Sequence, residues 1–385
     1  MTPPRPPACA PAVTAMPGAV FSPVQQLFDA PDRRIVPLHV GDTWLEPFEG
    51  ARMEDLRVAE HPGMHRYSET RGVSALVDAI VDKVRANNAL ACEREQVLVA
   101  AGATGALGSA LGMLASPGEE VLILAPFWPL IRGIVQAFRA APVEVPFYDR
   151  VDSAEAAVEA VRARLTERSV ALYVSSPSNP TGRVLPRAWL EALAELARRE
   201  NLWLISDEVY EETVYRGEHF SIAAAAPERS LTVFSFSKAY GMAGNRVGYL
   251  VGPRDAVEGA RKVSTHTFYA APTAGQLAAL RALRDGDAWV ARTRETYREV
   301  GNATAATLGV PAPEGGTFLF LDVRTQLDAR GIWGFLADCV EDGVALAPGP
   351  SCGADYEGWV RLCFTAAPPE DVARASAALA RRLSA

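Results

Sequence analysis

Lys238 lies in Ser235-Phe-Ser-Lys-Ala-Tyr-Gly-Met-Ala-Gly-Asn-Arg-Val-Gly-Tyr249, behind an apolar run (Leu231 to Phe236) that reads as a buried strand and ahead of a glycine-rich turn. A lysine brought to the end of a buried strand loses the hydration that favours its charged form. The neutral amine can then attack a carbonyl and form an imine. A lysine that merely caps the turn fits the local spacing equally well. The chain has two other lysines, Lys83 and Lys262, in the helix-like, charged surroundings Asp82-Lys-Val-Arg85 and Ala260-Arg-Lys-Val263. There a lysine reads as a solvated charge.

Other strings have chemical potential of their own. Leu202-Trp-Leu-Ile-Ser is followed by Asp207-Glu-Val-Tyr210. A carboxylate at the end of an apolar strand needs a partner, and the phenol three residues on can point at the same ligand. Ala101-Gly-Ala-Thr-Gly-Ala-Leu-Gly108 lies between a strand and a helix, so its backbone N–H groups and the Thr104 hydroxyl can hold an anion, with phosphate the natural guest. The same glycine spacing occurs in extended short-chain dehydrogenases, which bind NAD(P). Against that reading, the motif starts near residue 100, and no lysine has a tyrosine four positions before it. Pro126-Phe-Trp-Pro129 offers an aromatic ring for stacking or for plain packing. Ser175-Ser-Pro-Ser-Asn-Pro-Thr-Gly182 is a turn former, and Gly41 allows close backbone approach to a ligand or simply makes a turn.

These strings sit at strand ends in a regular alternation. Strands are expected at Val97–Ala101, Val121–Leu124, Val143–Phe147, Val170–Val174, Leu202–Ser206, Leu231–Phe236 and Val247–Val251, with helices at 73–87, 104–114, 129–140, 154–165 and 186–199 between them. Ser153 is the expected N-cap of the fourth helix. The fold class is α/β: a mainly parallel seven-stranded sheet between helices, with ligands at the carboxyl ends of its strands. A further short strand, ending in a Gly41-Asp42 turn, is expected within Ile35–Thr43. Beyond residue 285 the pattern changes to a long polar helix, strands at 317–323 and 359–364, and helices ending near 340 and 383. The domains expected are a large one over 48–285 and a smaller α+β one from 21–47 and 286–385. Residues 1–20, with six prolines, read as a flexible arm.

The chain has 385 residues, 49% of them hydrophobic, and a net charge of −8. That composition suits a soluble protein and leaves no nucleic-acid footprint. No apolar run reaches the roughly 18 residues a membrane helix requires. Five widely spaced cysteines without Cys/His grouping give no metal site and suit a reducing cytoplasm.

The ordered set of motifs from about Gly41 to Arg361 resembles the fold-type I aminotransferases of class I and II, which use pyridoxal 5′-phosphate. By that resemblance Lys238, in Ser-x-Ser-Lys-x-x-Gly-x-x-Gly-x-Arg, holds the cofactor aldehyde. Ala103, Thr104, Ser235 and Arg246 hold its phosphate, and Trp128 stacks on its ring. Asn179 and Tyr210 hydrogen-bond the ring oxygen, and Asp207 pairs with the ring nitrogen. Arg361, in Trp-Val-Arg-Leu-Cys-Phe, grips the substrate α-carboxylate with Asn179, near Gly41. Tyr67 reaches the phosphate of a neighbouring subunit, which implies a homodimer with shared sites. The implied reaction is transfer of an amino group between an L-amino acid and a 2-oxo acid; a lyase, cyclase or synthase would use the same residues. Trp44, His266, Phe268 and Tyr269 suggest an aromatic, uncharged substrate pocket. Two departures from the family pattern are Glu69 and Asn245.

Overall fold

In the computed structural model, which describes residues 8–18 and 34–384, seven short apolar runs form one sheet. They are Val97–Ala101 (β1), Glu120–Ala125 (β2), Ala141–Pro146 (β3), Ser169–Ser175 (β4), Trp203–Asp207 (β5), Ser230–Ser235 (β6) and Val247–Val251 (β7), in the order β1-β7-β6-β5-β4-β2-β3. β7 runs antiparallel to β1 and β6, and the other neighbours are parallel. The expected seven-stranded, mainly parallel sheet is therefore present. Its central strands are buried on both faces, which is why they read as unbroken apolar runs. Leu98, Ile123, Ile205 and Val233 pack towards the helices Gly102–Leu114 and Arg254–Thr267. Leu122, Leu172 and Leu204 pack towards Ala154–Arg162 and Arg187–Arg199. Ser153 caps Ala154–Arg162 as expected, its hydroxyl accepting from Ala156 N at 3.1 Å.

Parallel strands release their chains at one edge, so the segments after β1, β2, β4, β5 and β6 all meet there. The antiparallel β7 begins at that edge, with Val247 opposite Ala101 and Gly248 opposite Ser235. Arg246, one residue before β7, arrives at the same place for that reason.

A second sheet, Phe318–Asp322 (β8), Ala347–Pro348 (β9) and Trp359–Cys363 (β10), is antiparallel in the order β8-β10-β9. With the helices Asp287–Leu308, Gly331–Glu341 and Pro369–Leu383 it encloses a separate core that also takes in Val36 and Leu38. Alternation along β10 sends Val360 and Leu362 into that core and turns Arg361 and Cys363 the other way.

The structure departs from the expected elements in three places. Ile35–Thr43 is not a strand: its only ladder contact is a bridge between Val36 and Val344. Pro37 has no N–H to donate, and the chain turns instead, with Leu38 N bonding Val36 O and Asp42 N bonding Val40 O, each at 3.0 Å. The helices Ile222–Ala225, Arg254–Thr267 and Thr273–Asp285 and the strand β9 are additional to those expected. Within the arm read as flexible, Pro11–Thr14 is a helical turn, with Pro11 at its first position where the missing N–H costs nothing. Residues 1–7, 19 and 20 of that arm lie outside the described residues.

Candidate active site

The segments leaving the sheet edge surround a cavity of about 190 Å³, lined among others by Gly41, Ala103, Thr104, Trp128, Asn179, Asp207, Tyr210, Ser235, Lys238, Arg246 and Arg361. Every residue that the resemblance assigns to the cofactor, the chemistry or the α-carboxylate, except Tyr67, is in this lining. β5 carries Asp207 to the floor, where it is 4% exposed. Tyr173 Oη donates to its Oδ2 at 2.5 Å, and Val209 N makes a long 3.4 Å contact with Oδ1. Burial outweighs these bonds and lifts the carboxyl from 3.8 to about 6. Lys238 Nζ donates to the Gly41 carbonyl. Burial pushes its amine below the ordinary lysine value; Cys363 and Asp42 oppose that shift, and the charges of Arg361 and Arg246 add to it. A buried lysine next to two guanidiniums is biased towards the neutral, nucleophilic amine.

Opposite this floor is an anion cradle. The helix Gly102–Leu114 begins with no side-chain cap and no acidic residue in its first turn, so its first N–H groups and the positive end of its dipole remain available to a ligand. Gly102, at φ +72, admits the Arg246 guanidinium: a Cβ there would lie 2.5 Å from Arg246 Nη2. Gly248 likewise lets β7 pass under the helix start, where a Cβ would be 2.6 Å from Ala103 N. Arg246 donates to Ala243 O at 2.9 Å. Ser235 Oγ accepts from Ser237 N at 3.0 Å.

The third side belongs to β10. The Arg361 guanidinium donates to Asn179 Oδ1 at 3.0 Å and to His39 O at 2.9 Å, and lies 4.5 Å from the centre of the Phe318 ring. Its buried Nε has no hydrogen-bond partner among the described residues. A buried donor without an acceptor is costly, and a carboxylate is the acceptor that suits a guanidinium. Burial and the Arg361 charge hold the His39 imidazole down at about 4, so it adds no second charge there. An amine for an aldehyde, an acid for a ring nitrogen, an uncapped helix with a guanidinium for a phosphate, and an open guanidinium for a carboxylate together fit pyridoxal phosphate and an amino acid.

Other residues singled out from the sequence lie outside this cavity. Tyr67 is 88% exposed, its ring 4.9 Å from that of Tyr269. Trp44 packs on Tyr297 with ring centres 5.6 Å apart, and Phe268 packs on the backbone at Gly105. Trp44, His266, Phe268 and Tyr269 are not in the lining of this chain's cavity, so the aromatic pocket expected from them is not formed within one chain. Lys83, read as solvated, is buried: it pairs with Glu211 and sits 4.7 Å over the Phe234 ring, because its turn of the helix Ser74–Asn88 faces the sheet. The sequence reading missed Leu107, Val209, Ser237, Ala243 and Phe318 in the lining, and Tyr173 beneath it. A tyrosine inside an apolar strand must find a partner for its hydroxyl, and that was the available signal for Tyr173.

Residues 33–379 match the family described as aminotransferase class I and II. The aspartate/prephenate aminotransferase of Thermus thermophilus is 35% identical over 319 residues, covering 81% of this chain and 82% of that protein. The arginine–pyruvate transaminase of Pseudomonas aeruginosa is 35% identical over 309 residues, 78% of each. Among solved structures, aspartate aminotransferase from Thermus thermophilus with maleate superposes with a TM-score of 0.89 at 32% identity, covering 98% of this chain and 100% of that one.

Proposed function

The chain belongs to the class I and II aminotransferases and transfers an amino group between an amino acid and a 2-oxo acid with pyridoxal phosphate; on that premise we propose that Lys238 is its nucleophile and proton carrier, Asp207 its ring-nitrogen partner and Arg361 its substrate anchor. Bound pyridoxal phosphate supplies a conjugated ring that takes up the electron pair released when a bond to the substrate Cα breaks. Lys238 would hold the aldehyde carbon and, as a free amine, would move the proton at Cα. Asp207, ionised, keeps a proton on the ring nitrogen, which sustains the electron demand. Tyr210 and Asn179 donate to the ring oxygen. Ala103, Thr104, Ser235 and Arg246 would hold the phosphate, and Trp128 would stack on the ring. Arg361 and Asn179, beside Gly41, hold the α-carboxylate and thereby choose which Cα bond is broken.

The observation that carries this reading is the convergence of Lys238, Asp207 and Arg361 on one cavity. We also take residues 48–285 as a large domain, and 21–47 with 286–385 as a small one. The working unit is a cytoplasmic homodimer in which Tyr67 serves the partner's site. The exposed Tyr67–Tyr269 pair supports the dimer, and five free cysteines support the reducing compartment. Borohydride reduction of the cofactor-loaded protein followed by peptide mapping should find the pyridoxyl group on Lys238. A label on Lys83 or Lys262 would overturn the assignment.

A further inference from the structure

Tyr173 and Asp207 leave the sheet on the same face: Ser175, two residues after Tyr173 on β4, pairs with Asp207 on β5, and side chains two apart share a face. Both are buried, Tyr173 to 1% exposure and Asp207 to 4%, and the phenol hydroxyl lies 2.5 Å from Asp207 Oδ2. We propose that Tyr173 is a positioning residue for the cofactor ring: its hydroxyl orients the Asp207 carboxylate and holds it in the ionised form that a protonated ring nitrogen needs. The proposal rests on the role given to Asp207 above.

A carboxylate taken out of water favours its protonated form, and a donor bonded to the charged form opposes that. Tyr173 is the one side-chain donor to Asp207 among the described residues. The other titratable groups facing Asp207 do different things. Lys238, from the turn after β6, favours the anion, and Glu208, next in the chain, disfavours it. Glu208 points to the opposite face, where it accepts from Ser206 and Ser221 and meets His219. Tyr210, beyond β5, is apposed to Phe318. Tyr148, beyond β3, spends its hydroxyl on Ser175, donating to O at 2.6 Å and accepting from N at 3.1 Å. Tyr173 cannot itself give up its proton near neutrality. Burial and the Asp207 charge hold the phenol well above its ordinary range, so it stays a donor. Its contact also occupies Oδ2 and leaves Oδ1 with a single long bond.

The test is the affinity for pyridoxal phosphate titrated from pH 5 to 9 in unmodified protein and in Tyr173→Phe. Affinity of the unmodified protein falls on the acid side as Asp207 takes up a proton. Tyr173→Phe moves that acid limb up by about one pH unit, weakening binding about tenfold near pH 6 and leaving pH 9 unchanged. Replacing Tyr173 with 3-fluorotyrosine, a stronger donor of the same shape, moves the limb down, and this arm decides if the phenylalanine variant does not fold. In an Asp207→Asn background Tyr173→Phe moves nothing. A uniform loss at every pH with the limb unmoved, or the same shift without Asp207, overturns the proposal. Absence of pyridoxal phosphate binding in the unmodified chain would overturn the cofactor reading as well, whereas an unmoved limb sinks only the role of Tyr173.

Discussion

Asp207 shows how one residue trades stability for chemistry. In the cofactor-free protein burial raises its carboxyl from 3.8 to about 6. The native state therefore holds a proton that the unfolded chain has already lost between about pH 4 and pH 6. Stability falls as pH rises through that window and stays lower above it, by about 3 kcal/mol if the shift is fully expressed. Asp207→Asn removes the ionisable group and keeps the shape. Calorimetry of the cofactor-free proteins should show the asparagine variant melting above the unmodified one, by a margin larger at pH 8 than at pH 5. The same variant should lose about a hundredfold or more in turnover, because the fixed charge aimed at the ring is gone. An equal margin at both pH values would mean that Asp207 titrates normally.

At the scale of elements, the site is made by where strands end. β1 delivers a helix start with its N–H groups unclaimed, and β7, reversed, delivers Arg246 beside it. The join is Gly102, where a positive φ and the approach of a guanidinium both exclude a side chain. Gly102→Ala should push Arg246 off the cradle. Affinity for pyridoxal phosphate should fall about tenfold, a typical loss for one charged contact, while affinity for unphosphorylated pyridoxal is retained. Equal weakening of both ligands would place the damage in the fold of the turn. β10 works by simpler means: its alternation buries Val360 and Leu362 and so turns Arg361 towards Asn179.

For the whole molecule, the exposed Tyr67 matters most. A tyrosine 88% exposed, its ring tilted against that of Tyr269, which is 43% exposed, lies outside its own cavity. In a two-fold dimer with shared sites, Tyr67→Ala damages the partner's site and Lys238→Ala damages its own. Co-expressed, the two variants should form mixed dimers with one intact site each, recovering about a quarter of unmodified activity when pairing is random. Activity no higher than the sum of the two separate variants would exclude a shared site.

The sequence by itself determined the sheet and most of the lining. Seven apolar runs bounded by turn residues could be read because a strand buried on both faces has to be apolar along its length. Lys238 and Asp207 could be read because a charged residue at the end of such a run is chemically out of place, whereas Arg361, in the middle of β10, was legible only through the family resemblance of its motif. What depends on the surroundings of a residue was decided only by the fold. Pro37 turned an expected strand into turns. Lys83 lost its solvent to the sheet and to Glu211. Trp44 and Phe268 went to packing against Tyr297 and Gly105. The bond from Tyr173 to Asp207 joins residues 34 apart through the register of β4 and β5. Hydrophobic periodicity records which way a side chain faces, and only strand pairing decides what it meets.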